Sequence, residues 1–220
     1  MIQTIFSVYK PVGISSFQVI RQLRAVTGER KIGHAGTLDP LAEGVLVIGI
    51  SRNGTRQLSQ CLLCDKEYLA EIKLGANTIT GDSEGEEKVV EDAQEPSLDK
   101  LNVTLKQFLG EIWQTPHSYS AVKIKGRPAY KIARSGKKPD IKPKKVQIFK
   151  LEVLDYCYPM VKLKAVVGSG VYIRSLARDL GEKLATGAYL MSLVRTRVGE
   201  FKIKDSLSVD EVGERWKEIN

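Results

Sequence analysis

One histidine and one aspartate, His34 and Asp39, stand in the stretch KIGHAGTLDPLAEGVLVIGI, residues 31–50. An ionised carboxylate is a nucleophile or a proton acceptor, and an imidazole stacks, ligates metal or moves protons. Gly33, Gly36 and Gly44 bracket the pair, and Pro40 biases Asp39 toward an extended backbone. The pattern puts a carboxylate at the start of a buried apolar strand, GVLVIGI, on a turn that a ligand can approach closely. By residue type alone, such an aspartate is most often a turn or cap residue. The chain holds two histidines in all, and Cys61, Cys64 and Cys157 form a lone C-x-x-C with one cysteine left over. No metal site is therefore expected, and Cys61 and Cys64 read as small apolar residues on a helix.

Charge is distributed unevenly. The 220 residues carry a net +8, yet residues 123–145, KIKGRPAYKIARSGKKPDIKPKK, hold ten basic residues and one acidic, so the rest of the chain sums to −1. Concentrated positive charge is the electrostatic footprint of a polyanion site. Within it Pro128, Pro139 and Pro143 with Gly126 and Gly136 suggest a loop that orders on binding. The opposite pole, DSEGEEKVVEDAQE at residues 82–95, has seven acidic residues and one lysine, and reads as a solvated loop. No apolar run approaches the roughly 20 residues that span a bilayer, and the N-terminus lacks a basic-then-apolar signal pattern. A soluble, cytoplasmic protein without a membrane role is expected.

Several elements must position His34 and Asp39. TIFSVYK reads as a strand; SSFQVIRQLRAVTG reads as a helix capped by Ser15 or Ser16, with Val19, Ile20, Leu23 and Val26 on its apolar face and Gly28 as its stop. After the glycine-rich turn come the strand GVLVIGI, a helix TRQLSQCLLC, and a strand KEYLAEIKLG with Tyr68, Ala70 and Ile72 on one side. SLDKLNVTLKQFLGEI reads as a helix, and PAYKIARSG as a short one between Pro128 and Gly136. Two strands separated by Pro159, the helix VYIRSLARDLGEKL and the strand LMSLVRTRVGEF follow, with a short helix in SLSVDEVGERWKEIN. Strands mixed with helices, including a probable meander, predict an α+β (mixed α/β) domain around a mostly antiparallel mixed sheet. At this length roughly 70 to 75% of the unfolded surface is buried.

The loop GHAGTLDPLAEGVLVIG resembles the signature loop of the tRNA pseudouridine synthase B (TruB) family. YKPVGISSFQVIRQLR resembles its N-terminal Lys-Pro-x-Gly-x-[ST]-S motif, with Lys10, Pro11, Gly13 and Ser16 in place. KEYLAEIKLG, TPHSYSAVKIKGRPAYKIARSG, and GSGVYIRSLARDLGEKL followed by LVRTRVGEF are similar to the remaining motifs, in the family's order, over about residues 6–201. The chain departs from the family at Ala35, where Thr is usual, and at Glu43, Ile79 and Val194. Glu43 raises doubt about RNA affinity more than about chemistry.

The resemblance implies a pseudouridine synthase fold over residues 1–220, with an RNA-binding thumb at about 112–145 and no PUA domain. It implies isomerisation of the uridine at position 55 in the T-loop of tRNA. Asp39 would then be the catalytic aspartate, attacking or assisting departure of uracil, which rotates and rejoins through C5; an ester and a glycal route both want an ionised carboxylate. Arg174 matches the arginine beside it that favours the charged form. Tyr68 matches the tyrosine that stacks on the flipped base, a role better suited to a phenol than proton removal near neutral pH. Tyr172 and Leu193 match pocket-lining positions, Lys10 matches the lysine that supports the loop, and His34 matches the histidine that fills the space left in the T-loop. Lys123, Lys125, Arg127, Lys131 and Arg134 fall in the thumb and suit RNA phosphates. No cofactor and no obligatory protein partner are implied, and a monomer acting on the T-stem and T-loop is expected.

Two rivals remain at this stage. A non-catalytic chaperone that folds tRNA would need His34 and the basic thumb but not Asp39, Tyr68 and Arg174 together. A synthase acting on another RNA, such as a guide-directed subunit, would fail on bare T-arm RNA. With about five phosphates engaged by the basic segment, log affinity for T-arm RNA is expected to fall against log salt with a slope of about −3.5 to −4.5. A slope near zero in filter-binding titrations would remove the thumb's role.

Overall fold

The computed structural model describes residues 4–219. The chain folds as two compact units, one made of residues up to Leu69 together with those from Leu193, the other of Ala70–Ser192.

The first unit is organised by one strand. β1 (Ile5–Lys10) leads through a capped turn into α1 (Ser16–Thr27), then β2 (Ile32–Ala35), β3 (Ala42–Ile50) and α2 (Ser51–Leu63). β1 pairs antiparallel with β3 from Ile5↔Gly49 to Lys10↔Gly44, and β2 pairs antiparallel with β3 from Ile32↔Ile50 to Ala35↔Val47. The run GVLVIGI is apolar at successive positions because β3 is covered on both faces. Leu46, Ile48 and Ile50 pack with Phe6, Val8, Val19, Ile20, Leu23, Val212 and Trp216, while Val45 and Val47 pack with Ala35, Leu58 and Val198. Alternate side chains of a strand point to opposite faces, so α1 covers one side of β3 and α2 the other. The cysteines Cys61 and Cys64 lie at the end of α2 and pack against the second of these clusters, as small apolar residues would.

β4 (Lys66–Leu74) leaves the first unit for the second, and its Lys66, Tyr68, Ala70, Ile72 and Leu74 are buried in the alternation expected of a strand. The second unit continues with the hairpin pair β5 (Ala76–Thr78) and β6 (Glu87–Val89), then α3 (Leu98–Lys106) and β7 (Gly110–Gln114). The short β8 (Lys123–Ile124), β9 (Arg127–Pro128) and α4 (Ala129–Arg134) follow, then β10 (Lys144–Cys157), β11 (Met160–Val167) and α5 (Ile173–Leu184). β7 and β11 flank β10, both antiparallel. β12 (Ala188–Val198) returns the chain to the first unit, where Leu193–Arg195 pairs parallel with Ala42–Gly44. β13 (Phe201–Lys202) and α6 (Val209–Ile219) complete it. Among these pairings β12 with β3 is the parallel one, so the sheet is mixed and mostly antiparallel with flanking helices, as expected.

Four local expectations are corrected. The helix expected to run to Ile112 stops at Lys106, because Gly110 takes a left-handed turn (φ 89°) and the following residues pair with β10. The turn before Asp39 begins as strand β2, its apolar Ile32 and Ala35 facing inward. The helix after β3 begins at Ser51. The proline- and glycine-rich basic segment, expected to be a loop apart from one short helix, also holds a hairpin: Lys125 (φ 46°) and Gly126 (φ 84°) make a tight turn between β8 and β9, and the expected helix follows as α4.

The start of α1 illustrates how tightly the first unit is specified. Ser15 Oγ accepts from the Gln18 amide at 3.2 Å, and the Gln18 side chain accepts from the Ser15 amide at 2.7 Å. Ser15→Ala is expected to cost about 1 kcal/mol, measured as a lower urea midpoint with an unchanged slope. An unmoved midpoint would mean that the cap is redundant.

Candidate functional site

In the first unit the N-terminal motif explains itself once its hydrogen bonds are followed. Lys10 is fully buried, and its ammonium donates to the carbonyls of Pro11 (2.8 Å) and Ile14 (2.7 Å), closing the loop that precedes α1. That loop presents the Gly13 amide to the carbonyl of Pro40 at 2.8 Å. Ser16 Oγ, at the first turn of α1, donates to the Leu38 carbonyl and accepts from the Leu38 amide, both at 2.9 Å. The residues on either side of Asp39 are thus fixed by one short segment, and the Asp39 carbonyl accepts from the Ala42 amide at 3.1 Å as β3 begins. Lys10 is therefore not solvated, and its ammonium closes the 11–14 loop.

The neighbours of this turn are equally constrained. His34 is half-buried on β2 opposite Ile48, and its Nδ1 is buried without a hydrogen-bond partner. Burial, and then the charge of Arg195, hold its imidazole below the ordinary range, which favours a neutral ring. Tyr68 is 7% exposed on β4, and Leu193 pairs with Ala42, three residues past Asp39. Glu43 accepts from the Tyr9 hydroxyl, a hydrogen bond that, with some burial, pushes Tyr9 up to about 12. The extra carboxylate in the loop is therefore occupied by a neighbour on β1.

In the second unit Arg174 lies buried at the start of α5, with Nη1 2.5 Å from Asp82 Oδ2. Asp82 is itself fully buried and also accepts from Thr80 Oγ1 (2.6 Å) and the Glu84 amide (3.1 Å). The reading of residues 82–95 as a solvated loop fails at its first residue, because a carboxylate there meets a guanidinium contributed from 92 positions further along the chain. Tyr172, which precedes α5, donates its amide to Gln114 Oε1 (2.8 Å), and the Gln114 side chain donates back to the Tyr172 carbonyl (3.2 Å). Ser175 Oγ and Arg178 Nη2 both donate to the Thr115 carbonyl at 3.0 Å. The strand that enters the basic segment is thereby tied to the helix carrying Arg174. His117 sits edge-on to the Tyr172 ring (centroids 5.4 Å) and is held down to about 3 by burial and by Arg174 and Arg178.

Lys123, Lys125, Arg127, Lys131 and Arg134 are all exposed, on the β8–β9 turn and on α4. Among the described residues none of the five pairs with a carboxylate; Arg134 instead lies over the Tyr130 ring at 5.8 Å.

The family model described as the TruB family pseudouridylate synthase N-terminal domain matches residues 24–173, and that of the tRNA pseudouridylate synthase B C-terminal domain matches residues 174–219. The chain belongs to the TruB family of pseudouridylate synthases. It is 39% identical over 221 residues to tRNA pseudouridine synthase B of Ureaplasma parvum serovar 3, covering 99% of this chain and 96% of that one. To tRNA pseudouridine synthase B of Francisella philomiragia subsp. philomiragia it is 42% identical over 206 residues, covering 92% and 67%. Among solved structures it is similar to a chain of a Cbf5-Nop10-Gar1 complex, with a TM-score of 0.74, 28% identity, and coverage of 98% of this chain and 56% of that one. It is also similar to a chain of an H/ACA RNP bound to a substrate RNA containing 2'-deoxyuridine, with a TM-score of 0.71, 26% identity, and coverage of 98% and 55%. The chain thus spans about half the length of those solved chains. As a TruB-family protein it is a pseudouridine synthase, an isomerase that converts uridine in tRNA to pseudouridine. Among the described residues no helix is long and apolar enough to cross a membrane.

Two buried charged residues, one in each unit, are not visible as such in the sequence. Asp82 was hidden by six acidic neighbours, and Arg195 by its place in an alternating basic strand. Both are betrayed by burial, which composition does not report. Asp82→Ala is expected to cost about 3 kcal/mol or more, since it leaves a buried guanidinium short of its carboxylate. Thermal unfolding beside the exposed Glu84→Ala, expected within about 0.5 kcal/mol of the parent, checks this.

Proposed function

We propose that the protein isomerises the uridine at position 55 in the T-loop of tRNA, with Asp39 as the reacting carboxylate. One observation supports this most. The backbone on both sides of Asp39 is held, at Leu38 by Ser16 and at Pro40 by Gly13, so the carboxylate is preorganised by main-chain contacts while its own side chain stays half-buried. Preorganisation of that kind suits a group that must meet a reacting atom within a few tenths of an ångström.

In this reading the target nucleotide leaves its stack at a cost of a few kcal/mol, offset by contacts to the rest of the loop. Tyr68 stacks on the extruded base, and Tyr172 and Leu193 line the space around it. Asp39 attacks at C1′ or assists departure, so the N1–C1′ bond breaks with its electron pair on uracil; uracil turns, the C5–C1′ bond forms as any Asp39 ester is released, and C5 gives its proton to water while N1 takes one up. Arg174 keeps the carboxylate in its charged form, since a guanidinium favours the ionised state of a neighbouring acid. Lys10 supports the loop, and the flat, neutral ring of His34 stacks where the base was. Lys123, Lys125, Arg127, Lys131 and Arg134 take the phosphates of the T-stem and T-loop, as exposed cations without carboxylate partners would. The protein acts as a monomer in the cytoplasm, without a cofactor or a protein partner.

Tritium release from C5-labelled uridine in an unmodified T-arm transcript tests this. The parent is expected to release tritium, and Asp39→Asn to lose at least about four orders of magnitude in rate while keeping RNA affinity. Tight binding without release by either protein would favour a tRNA-folding chaperone. Release from intact tRNA but not from the T-arm would refute the T-arm as a sufficient substrate.

A further inference from the structure

We propose that Arg195 is a positioning residue for the isomerisation, holding from within the first unit the turn that carries Asp39; this rests on Asp39 being the reacting carboxylate. Arg195 is 1% exposed, at a point of β12 where Leu or Val would satisfy a buried strand. Its Nε donates to the Val45 carbonyl at 2.8 Å and its Nη2 to the Gly36 carbonyl at 3.0 Å. Among the described residues no carboxylate pairs with it. A buried guanidinium with only carbonyls for company is expensive. The expense is understandable where the fork extends the tie between two segments beyond their last ladder pair, Ala35↔Val47, here from Val45 of strand β3 to the turn three residues before Asp39.

The backbone around Arg195 is closely fitted. Gly44, paired with Arg195 in the parallel register, has φ 106°, and a Cβ there would collide with the Arg195 carbonyl oxygen, so this glycine lets β3 and β12 approach at that residue. Gly36 has φ 83°, a conformation that favours glycine, and it lies against the guanidinium that binds its carbonyl. Its charge also acts on His34, after burial the second cause of that ring's neutrality. One side chain thus acts on the His34–Asp39 stretch at two points, His34 and Gly36. Lysine cannot replace it fully, since an ammonium donates from one point, whereas the planar fork donates from Nε and Nη2 in fixed directions to carbonyls nine residues apart.

The test compares the parent with Arg195→Met, which keeps bulk but loses the fork, and with Arg195→Lys. Three quantities are read: the single-turnover rate of tritium release at saturating T-arm RNA, the RNA dissociation constant, and the NMR ring signals of His34. With two histidines in the chain, His117→Phe assigns them. Arg195→Met is expected to lose on the order of 100-fold in rate, as a 1 Å misplacement does. RNA affinity should stay within about threefold, the His34 signals should move, and Arg195→Lys should recover part of the rate. A parental rate in Arg195→Met, or rate and affinity lost in equal measure, would overturn the proposal. If Arg195→Met does not fold, Arg195→Lys decides, because it keeps the charge and loses the fork: a rate loss with affinity kept is expected, and a parental rate overturns the assignment. An active Asp39→Asn would overturn the role of Asp39 itself, and is read separately.

Discussion

The backbone on either side of Asp39 is held at Leu38 by Ser16 and at Pro40 by Gly13. Both contacts come from a single stretch, Lys10 to Ser16. Lys10 gives up solvent to bind two carbonyls of its own loop, which orients the Gly13 amide toward Pro40. The same loop delivers Ser15 to the N-cap of α1, which places Ser16 against Leu38. Removing solvent from an ammonium is costly unless its protons are satisfied, and here carbonyls meet them. The helix cap, the buried lysine and the held turn are one structure.

That structure needs a rigid base, and β3 supplies it. A strand buried on both faces cannot shift without opening two clusters of apolar contacts, since a one-residue slip would send every side chain to the opposite side. Asp39 stands three residues before this strand, and the β1, β2 and β12 pairings lock the strand's register. In the second unit the corresponding device is α5, whose first turns are tied by Gln114, Ser175 and Arg178 to the strand leading into the basic segment. A helix held in this way keeps Arg174 in place while the exposed α4 and the β8–β9 turn stay available to a ligand.

How much of this was legible follows from where the information lies. Period and caps were enough for α1, α5 and β3, because Ser15, Gly28 and the double-sided apolar run act locally. Asp39 was visible as a type, and only the accumulation of motifs raised it above an ordinary turn aspartate. Asp82 and Arg195 act in contacts over long sequence separations, and Lys10, although its bonds are local, shares their disguise: a lysine in a basic chain or an aspartate in an acidic run looks solvated until its burial is known. The end of α3 was misread for a similar reason: LGEI has helical spacing, but pairing with β10 outweighs a weak local preference.

The cations of this protein divide by burial into two kinds with different physics. Lys123, Lys125, Arg127, Lys131 and Arg134 stand in water, where added salt screens them over about 10 Å at 0.1 M and competes for a polyanion. Lys10, Lys66, Arg174 and Arg195 lie inside, where ions do not reach and the dielectric is low, so each acts on its immediate neighbours nearly undiminished. The effect is visible in Lys66, whose ammonium donates to the Leu62 and Cys64 carbonyls and is held below its ordinary range by burial and then by Arg195. A positive interior of this kind would be a poor choice for stability alone, since apolar residues would fill the same volume at less cost. Each of the four is instead met by fixed partners, carbonyls at Lys10, Lys66 and Arg195 and the Asp82 carboxylate at Arg174, so it is the exposed cations that respond to added salt.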